Sequence, residues 1–260
     1  MSILDQILTY RQPICNILRL VRVNTSNVLL GLDGSPLSAA LPVYANVASL
    51  PAASGFAAGS NVMLAAGAFV GTGATTTGIR LKADPVANVW VPDGEQVLFS
   101  SVFGNMSSGY KSINLNANTV KLDLGGADPV IPAGLLVPGK SMLAVTVYYR
   151  KIGAAQPAVN IYLGTDGTTY TNNSTIYIQP QAATVNIDTQ PRAKIDFLST
   201  TSAVSTGRSS EGGPGLAFAF TSAATLINTA ADMTISFDAS IGAGTEEIRF
   251  YKFRISIVES

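Results

Sequence analysis

The chain has 260 residues, of which 47% are hydrophobic, 12% are charged, one is cysteine and none is histidine. Sixteen basic side chains balance sixteen acidic ones without forming a basic block, which argues against nucleic acid as a partner. The usual residues for proton transfer, nucleophilic attack and metal binding are nearly all missing, so we expect a non-enzymatic protein without catalytic residues, metal or cofactor. A surface poor in charge loses little on desolvation, which favours a component of a larger assembly.

Residues 1–40 are predicted to form a docking segment, helical or extended. Its apolar side chains have helical spacing, which Pro13 interrupts. Either a short helix ends near Tyr10 or Arg11 and a second element starts at Pro13, or the segment stays irregular until it docks. A local lid on the chain's own domain is the alternative interpretation. The docking side chains would be Ile3, Leu4, Ile7, Leu8, Ile14, Ile17 and Leu18.

No apolar stretch reaches the ~20 residues needed to span a bilayer. The N-terminus, Met1-Ser2-Ile3-Leu4-Asp5, lacks the basic region and apolar core of a secretory signal. We therefore expect a protein without a membrane span that is made in the cytoplasm of the producing cell.

Residues 41–96 are predicted to form a small β module. Their middle part, residues 51–79, is rich in Ala, Gly and Thr, and it lacks the lysine that a phosphate-binding loop would need. The stretch from Asn88 to Gly94 contains Trp90 and has the pattern of a closing strand followed by a turn.

Residues 97–260 are predicted to form an antiparallel, jelly-roll-like β-sandwich, which makes the whole chain all-β. Apolar and polar residues alternate in short segments separated by Gly, Pro, Asn and Asp, and no helical pattern lies between them. The strand candidates are Val97–Phe103, Ser112–Leu122, Ser141–Lys151, Val159–Leu163, Thr175–Gln179, Ala193–Ser199, Leu216–Phe220, Met233–Phe237 and Ile248–Ile257.

The last strand contains a change of phase. Its apolar side chains occupy even positions at Ile248 and Phe250, and then odd positions at Phe253, Ile255 and Ile257. Because a strand has a side-chain period of two, an extra residue must lie between them. A β-bulge is therefore predicted at Tyr251-Lys252.

Two stretches resemble proteins of tailed bacteriophages. The first runs Leu41-Pro42-Val43-Tyr44-Ala45-Asn46-Val47-Ala48-Ser49-Leu50-Pro51-Ala52 and continues to Trp90-Val91-Pro92-Asp93-Gly94, which is similar to a small module of phage tail and fibre proteins. The second is Val130-Ile131-Pro132-Ala133-Gly134-Leu135-Leu136, followed by the strands Met142–Tyr149, Val159–Gly164, Ala231–Ile235 and Glu247–Val258. This order resembles the C-terminal β-sandwich heads of phage fibres and related virion proteins.

The resemblance implies a structural protein of the virion that associates with other virion proteins. It also implies a homo-oligomer, specifically a trimer. Residues 1–40 lie outside the resemblance, and we expect them to dock to the particle while the sandwich is displayed outward. A short fibre, a tail-tip or collar component and a capsid decoration protein are all compatible with it. A carbohydrate- or host-receptor-binding adhesin is the alternative function.

A receptor-contact surface is predicted around the turn Asp166-Gly167. Tyrosine rings suit stacking on sugar faces, while asparagine amides bind hydroxyl groups, so a host surface glycan is a candidate partner. The contact residues would be Tyr162, Tyr170, Asn172, Asn173 and Tyr177. In the alternative interpretation, Tyr162 and Tyr177 only cover the sheet. The segment Ser205–Gly215 is predicted to be a second exposed loop.

Overall fold

The computed structural model describes residues 22–23, 29–30, 41–104, 108–116, 118–153, 158–178, 187–208, 220–221, 226–240 and 245–260. In this part of the chain the helices are the short 3₁₀ turns Val47–Ser49, Ala53–Gly55, Ala66–Ala68 and Tyr170–Asn172. None of them is long and apolar enough to cross a membrane.

The remaining regular structure consists of β-strands. They are β1 Arg22–Val23, β2 Leu29–Leu30, β3 Val43–Tyr44, β4 Asn61–Leu64, β5 Ile79–Asp84, β6 Val89–Pro92, β7 Gln96–Val102, β8 Lys111–Asn116, β9 Thr119–Lys121, β10 Val130–Ile131, β11 Ser141–Ile152, β12 Ala158–Gly164, β13 Ser174–Ile178, β14 Ile187–Thr189, β15 Arg192–Ser199, β16 Ser202–Arg208, β17 Phe220–Thr221, β18 Met233–Ser240 and β19 Thr245–Glu259.

The chain divides into two compact units, Met1–Pro42 and Val43–Ser260. In the first unit, β1 and β2 form an antiparallel pair in which Arg22 lies opposite Leu30. The predicted docking side chains of this unit lie outside the described residues. The predicted boundaries at residues 40 and 96 stay predictions.

The second unit contains a sandwich of two antiparallel sheets. The six-stranded sheet has the order β10-β18-β12-β13-β17, with β9 also paired to β18. The seven-stranded sheet has the order β16-β15-β11-β19-β7, with β14 on β11 and β8 on β19. Their inner faces meet across the core, where the rings of Phe237 and Phe253 have centroids 5.4 Å apart. The predicted all-β fold with a jelly-roll-like sandwich is confirmed.

The inner face of the sandwich follows the alternation of the sequence. On β11 every second side chain is fully buried, and these are Ser141, Leu143, Val145, Val147, Tyr149 and Lys151. Facing strands contribute β-branched and aromatic side chains, which suit a pleated, packed surface. On the outward side of β11, Tyr148 and Arg150 are half-buried, whereas Ala144 and Thr146 are buried.

A four-stranded sheet of order β3-β4-β5-β6 precedes the sandwich and shares its core. The rings of Phe69 and Phe99 meet edge to face at 6.1 Å and join the two parts. Trp90 lies on the closing strand, as predicted, and its indole nitrogen donates a hydrogen bond to the carbonyl oxygen of Pro51 at 2.7 Å. This buried polar atom is therefore satisfied.

The predicted β-bulge in the last strand is confirmed. On β11, Tyr148 lies opposite Lys252 and Tyr149 lies opposite Phe250, so Tyr251 has no partner residue on that strand. The carbonyl oxygen of Tyr251 instead accepts a hydrogen bond from the amide of Phe103 at 2.8 Å. The extra residue is thus accommodated without leaving this oxygen unpaired.

Two predictions about strand extent are wrong. The single strand predicted over Ser112–Leu122 is two strands in different sheets, because β8 pairs with β19 and β9 pairs with β18. The predicted loop Ser205–Gly215 begins inside β16, which pairs with β15. Small Ser, Thr and Gly residues are compatible with an edge strand as well as with a loop, which is why composition misled here.

Candidate functional site

The predicted receptor-contact residues lie on and around the connection between β12 and β13. Tyr162 belongs to β12, Tyr170 and Asn172 belong to the 3₁₀ turn, and Asn173 follows that turn. The structure therefore brings these four residues together. For Tyr177, on β13, only the backbone is described, and it lies opposite Asn160.

Asp166 organises the connection between the two strands. Its carboxylate accepts hydrogen bonds from the amides of Thr168 at 2.9 Å and Thr169 at 2.7 Å, and from the side-chain amide of Asn172 at 2.8 Å. The bond from Thr169, followed by that from Asn172, lowers the pKa of Asp166. A carboxylate held this way fixes the path of the turn.

Asn173 belongs to the interior of this turn. Its side chain is 3% exposed and bonds the backbone of Asp166 twice, accepting from the amide at 3.0 Å and donating to the carbonyl at 2.9 Å. Gly164 packs so closely against it that a Cβ on the glycine would collide with the asparagine side chain. Asn173 thus serves the architecture of the connection.

Beneath the connection lies a buried carboxylate that sequence reasoning did not single out. Asp238 on β18 is fully buried and accepts hydrogen bonds from the Asn160 side-chain amide at 2.6 Å and the Tyr170 hydroxyl at 3.4 Å. Burial raises the pKa of Asp238, although its hydrogen bonds act in the opposite direction. Burial, and next the charge of Asp238, raise the pKa of the Tyr162 hydroxyl.

Tyr170 closes this polar site. Its ring meets Tyr162 edge to face at 5.0 Å, and the ammonium of Lys121 lies 5.0 Å from its centroid. Lys121 also forms an ion pair with Asp128 at 2.8 Å, beside a cavity of about 230 Å³. Of the four predicted contact residues whose side chains are described, Tyr162 is 8% and Asn173 is 3% exposed, which leaves Tyr170 and Asn172 accessible; Lys121, which was not predicted, is exposed beside them. Their role in contacting a receptor stays a prediction.

A second cluster of tyrosines lies on the outer face of the seven-stranded sheet. We call it the tyrosine face and define it as Tyr110, Tyr148, Tyr251, Arg150, Arg249 and Lys252. Strand pairing places these residues in two adjacent rows, because Arg150 lies opposite Arg249 and Tyr148 lies opposite Lys252. All six are half-buried rather than enclosed.

Ion pairs and hydrogen bonds order the first row of the tyrosine face. Asp188 on β14 accepts two hydrogen bonds from Arg150, at 2.9 and 2.7 Å, and one from the Tyr251 hydroxyl at 2.8 Å. The Arg150 bond is the main cause that lowers the pKa of Asp188. Arg249 likewise donates twice to Glu247, at 2.7 and 3.0 Å. Bidentate guanidinium–carboxylate pairs of this kind hold both partners in a fixed orientation.

Cation–π contacts are present in both rows. The ammonium of Lys252 lies 5.2 Å from the centroid of Tyr148, whose hydroxyl accepts a hydrogen bond from Gln190 at 3.0 Å. The guanidinium of Arg249 lies 4.6 Å from the centroid of Tyr110. Both distances fall within the range in which a cation is attracted to an aromatic ring.

The β-bulge is what places two consecutive side chains on this face. Phe250 and Phe253 both point into the core, so the two residues between them, Tyr251 and Lys252, lie towards the outside. In a regular strand one of the two would have pointed inward. The phase change in the sequence could have indicated that Tyr251 and Lys252 share this face. It does not indicate which residues of the neighbouring strands lie beside them.

Among the described residues, no three acidic or cysteine side chains are grouped closely enough to hold a metal ion. The adjacent carboxylates Glu246 and Glu247 differ in environment, since Glu246 is 5% exposed and packs against Gly153 while Glu247 pairs with Arg249. Their opposite directions follow from the strand period.

No protein-family model and no curated protein sequence matches the chain. Solved structures similar to it include a protein of unknown function from Shewanella oneidensis MR-1, with 18% identity over 65% of this chain and 77% of that one, at a TM-score of 0.32. They also include peanut lectin, with 8% identity over 64% of this chain and 98% of that one, at a TM-score of 0.34. A Bauhinia forficata lectin in complex with GalNAc has 12% identity over 62% of this chain and 98% of that one, at a TM-score of 0.31. Similarities at these TM-scores assign neither a family nor a ligand.

Proposed function

We propose that the chain is a structural component of a tailed-phage virion, assembled as a homo-oligomer with residues 1–40 docking to the particle and the sandwich displayed outward. The observation that carries the proposal is the spatial arrangement of Val130–Leu136 and Ala231–Ile235, two of the segments on which the resemblance to phage sandwich domains rests. These stretches are about a hundred residues apart and lie side by side in the fold.

The contacts between the two stretches are specific. Ile131 pairs with Met233, and the amide of Ala133 donates a hydrogen bond to the carboxylate of Asp232 at 2.8 Å. The amide of Gly134 donates to the carbonyl oxygen of Thr229 at 2.7 Å, and its φ of +74° is a conformation that glycine adopts without strain. Two of the segments that carry the resemblance therefore pair with each other in the six-stranded sheet.

The composition of the chain supports an assembly role. Only 12% of its residues are charged, and ion pairs such as Lys82–Glu259 and Lys140–Asp84 satisfy charges within the chain. A neutral surface rich in Ser, Thr and Asn can be desolvated against neighbouring subunits at little cost.

Purified particles provide the test of the structural role. Mass spectrometry of virions should detect the chain at a fixed copy number, and deletion of residues 1–40 should abolish incorporation while leaving the circular dichroism of the purified β unit intact. Normal incorporation of the shortened chain would contradict the docking proposal, and absence of the chain from washed particles would contradict the structural role itself.

Light scattering tests the assembly state separately. A trimer should have three times the 27.0 kDa mass of the single chain, since the resemblance implies three-fold assembly. A stable monomer at micromolar concentration would overturn the homo-oligomer.

A further inference from the structure

The tyrosine face has the chemistry of a binding surface. Its rings and cations lie on β11 and β19 and, with Tyr110, directly before β8, so they cover three adjacent strands, about 10 Å at the usual strand spacing. A sheet face of this width offers several ring and hydrogen-bonding positions in a row. Such an arrangement suits an extended ligand better than a small enclosed one, because the residues are half-buried on the outer face of a sheet.

The face is ordered before any ligand arrives. The Tyr251 hydroxyl and the Arg150 guanidinium are both held by Asp188, and the Tyr148 hydroxyl is held by Gln190. Side chains that are already fixed lose little conformational entropy on binding. The hydroxyl and guanidinium groups can form further hydrogen bonds with sugar hydroxyls, while partly exposed tyrosine rings stack on sugar faces.

The net charge of the tyrosine face indicates the sign of the charge on its ligand. Arg150 and Arg249 are each neutralised by a carboxylate, Asp188 and Glu247 respectively. Lys252 contacts the Tyr148 ring and, among the described residues, forms no ion pair with a carboxylate. One positive charge is thus left over on a surface that carries three basic and two acidic side chains.

We infer that the tyrosine face binds an anionic polysaccharide, with the rings of Tyr148 and Tyr251 against sugar faces and Lys252 at an acidic group of the chain. This binding role goes beyond the structural role and does not depend on it. The β-bulge is the feature that makes the site, because it places a stacking ring and the unpaired cation next to each other on one face.

The experiment measures binding of the full chain to carboxymethyl-dextran and to polygalacturonate, with unmodified dextran as the neutral counterpart, by biolayer interferometry. We expect binding to the two carboxylated polymers and none to dextran. Lys252→Glu should weaken binding about tenfold or more, since a direct attraction becomes a repulsion, and Tyr148→Ala should weaken it to a similar extent.

Lys194→Glu is the matched control for charge. Lys194 is exposed on the outer face of the same sheet, on β15 and away from the tyrosine face, so this variant changes the net charge equally. It should bind as the unchanged chain does. Circular dichroism and the melting temperature of each variant separate loss of binding from loss of fold.

Failure of the unchanged chain to bind both carboxylated polymers would overturn the inference. An equal loss of polymer binding in Lys194→Glu and Lys252→Glu would also overturn it, since only the net charge of the protein would then matter. Self-association of the unchanged chain that is lost in Lys252→Glu, without any polymer binding, would overturn it as well. Incorporation of Lys252→Glu into particles reports on the structural role alone, so the failure of one proposal is distinguishable from the failure of the other.

Discussion

The side-chain amide of Asn160 donates a hydrogen bond to the buried carboxylate of Asp238 at 2.6 Å, from one strand of the six-stranded sheet to its neighbour. Among the described side chains, the other donors that reach the carboxylate are tyrosine hydroxyls. A carboxylate in such surroundings has neutral donors in place of a cation, so its charge is costly to bury.

Replacement of Asp238 by Asn should therefore stabilise the protein at neutral pH. Because the folded-state pKa is raised, the protonated carboxyl is the form that the fold prefers. Its contribution to stability is fully present below the unfolded-state pKa of about 3.9 and is lost as pH rises through the higher folded-state pKa. Thermal unfolding of Asp238→Asn should give a higher melting temperature at pH 7 and a flatter pH profile from pH 4 to 8.

The control for Asp238→Asn is Asp196→Asn, which removes a carboxylate from the half-buried outer position of β15. It should leave the pH profile close to that of the unchanged chain. A melting temperature of Asp238→Asn that falls at pH 7 would show instead that the ionised carboxylate stabilises the fold.

Phe237→Ala should cost about 3–5 kcal/mol in the free energy of unfolding, as expected for removal of a buried aromatic side chain. Phe237 is 1% exposed and joins the two sheets through its contact with Phe253. Urea denaturation provides the measurement, and Val86→Ala is the control because Val86 is 97% exposed.

A double-mutant cycle of Phe237→Leu and Phe253→Leu should give a coupling of about 0.5–1.5 kcal/mol, the value typical of an aromatic pair. Additive effects within the error of measurement would mean that the two rings do not interact across the sandwich.

Gly78→Ala should destabilise the four-stranded sheet by at least about 2 kcal/mol. Gly78 has a φ of +73°, and a Cβ there would collide with the backbone carbonyl oxygen of Leu64. Gly67→Ala is the matched control, since Gly67 has neither a positive φ nor a neighbouring atom in the way. Equal stability of the two variants in urea would refute this reading of the turn.

Deletion of Tyr251 should leave the fold intact. Removal of the extra residue makes β19 regular, while Phe250 and Phe253 still point into the core. We expect a loss of roughly 1–2 kcal/mol, in part from the hydrogen bond between Phe103 and Tyr251.

Deletion of Arg254 provides the comparison. It would reverse the phase of Ile255 and Ile257, both fully buried, and should prevent folding. Similar solubility and circular dichroism for the two deletions would contradict this interpretation of the bulge.

The sequence contained enough information for the strands and their phases. The alternation of Leu143, Val145 and Val147 predicts the inner face of β11, and the even-to-odd change after Phe250 predicts the bulge, because both depend only on the local period of the strand. The break between β8 and β9 was missed because Asn116 and its neighbours fit an extended chain as well as a corner between sheets.

The sites depended on pairing between distant strands, which local pattern does not encode. Tyr162 and Tyr170 were recognised by their closeness in sequence, whereas Asp238, which binds the Tyr170 hydroxyl, comes from far along the chain. The tyrosine face was missed for the same reason: Tyr148 and Lys252 become neighbours only through the pairing of β11 with β19.

The position of β19 also determines how the protein can fold. It lies between β11 and β7 in the seven-stranded sheet, yet residues 103–244 separate it from β7 along the chain. The centre of this sheet therefore cannot form until a strand near the end of the sequence has closed a very long loop. Contacts of such separation slow folding to roughly milliseconds to seconds. During synthesis, the edges of β7 and β11 that will pair with β19 therefore stay unpaired until β19 has been made.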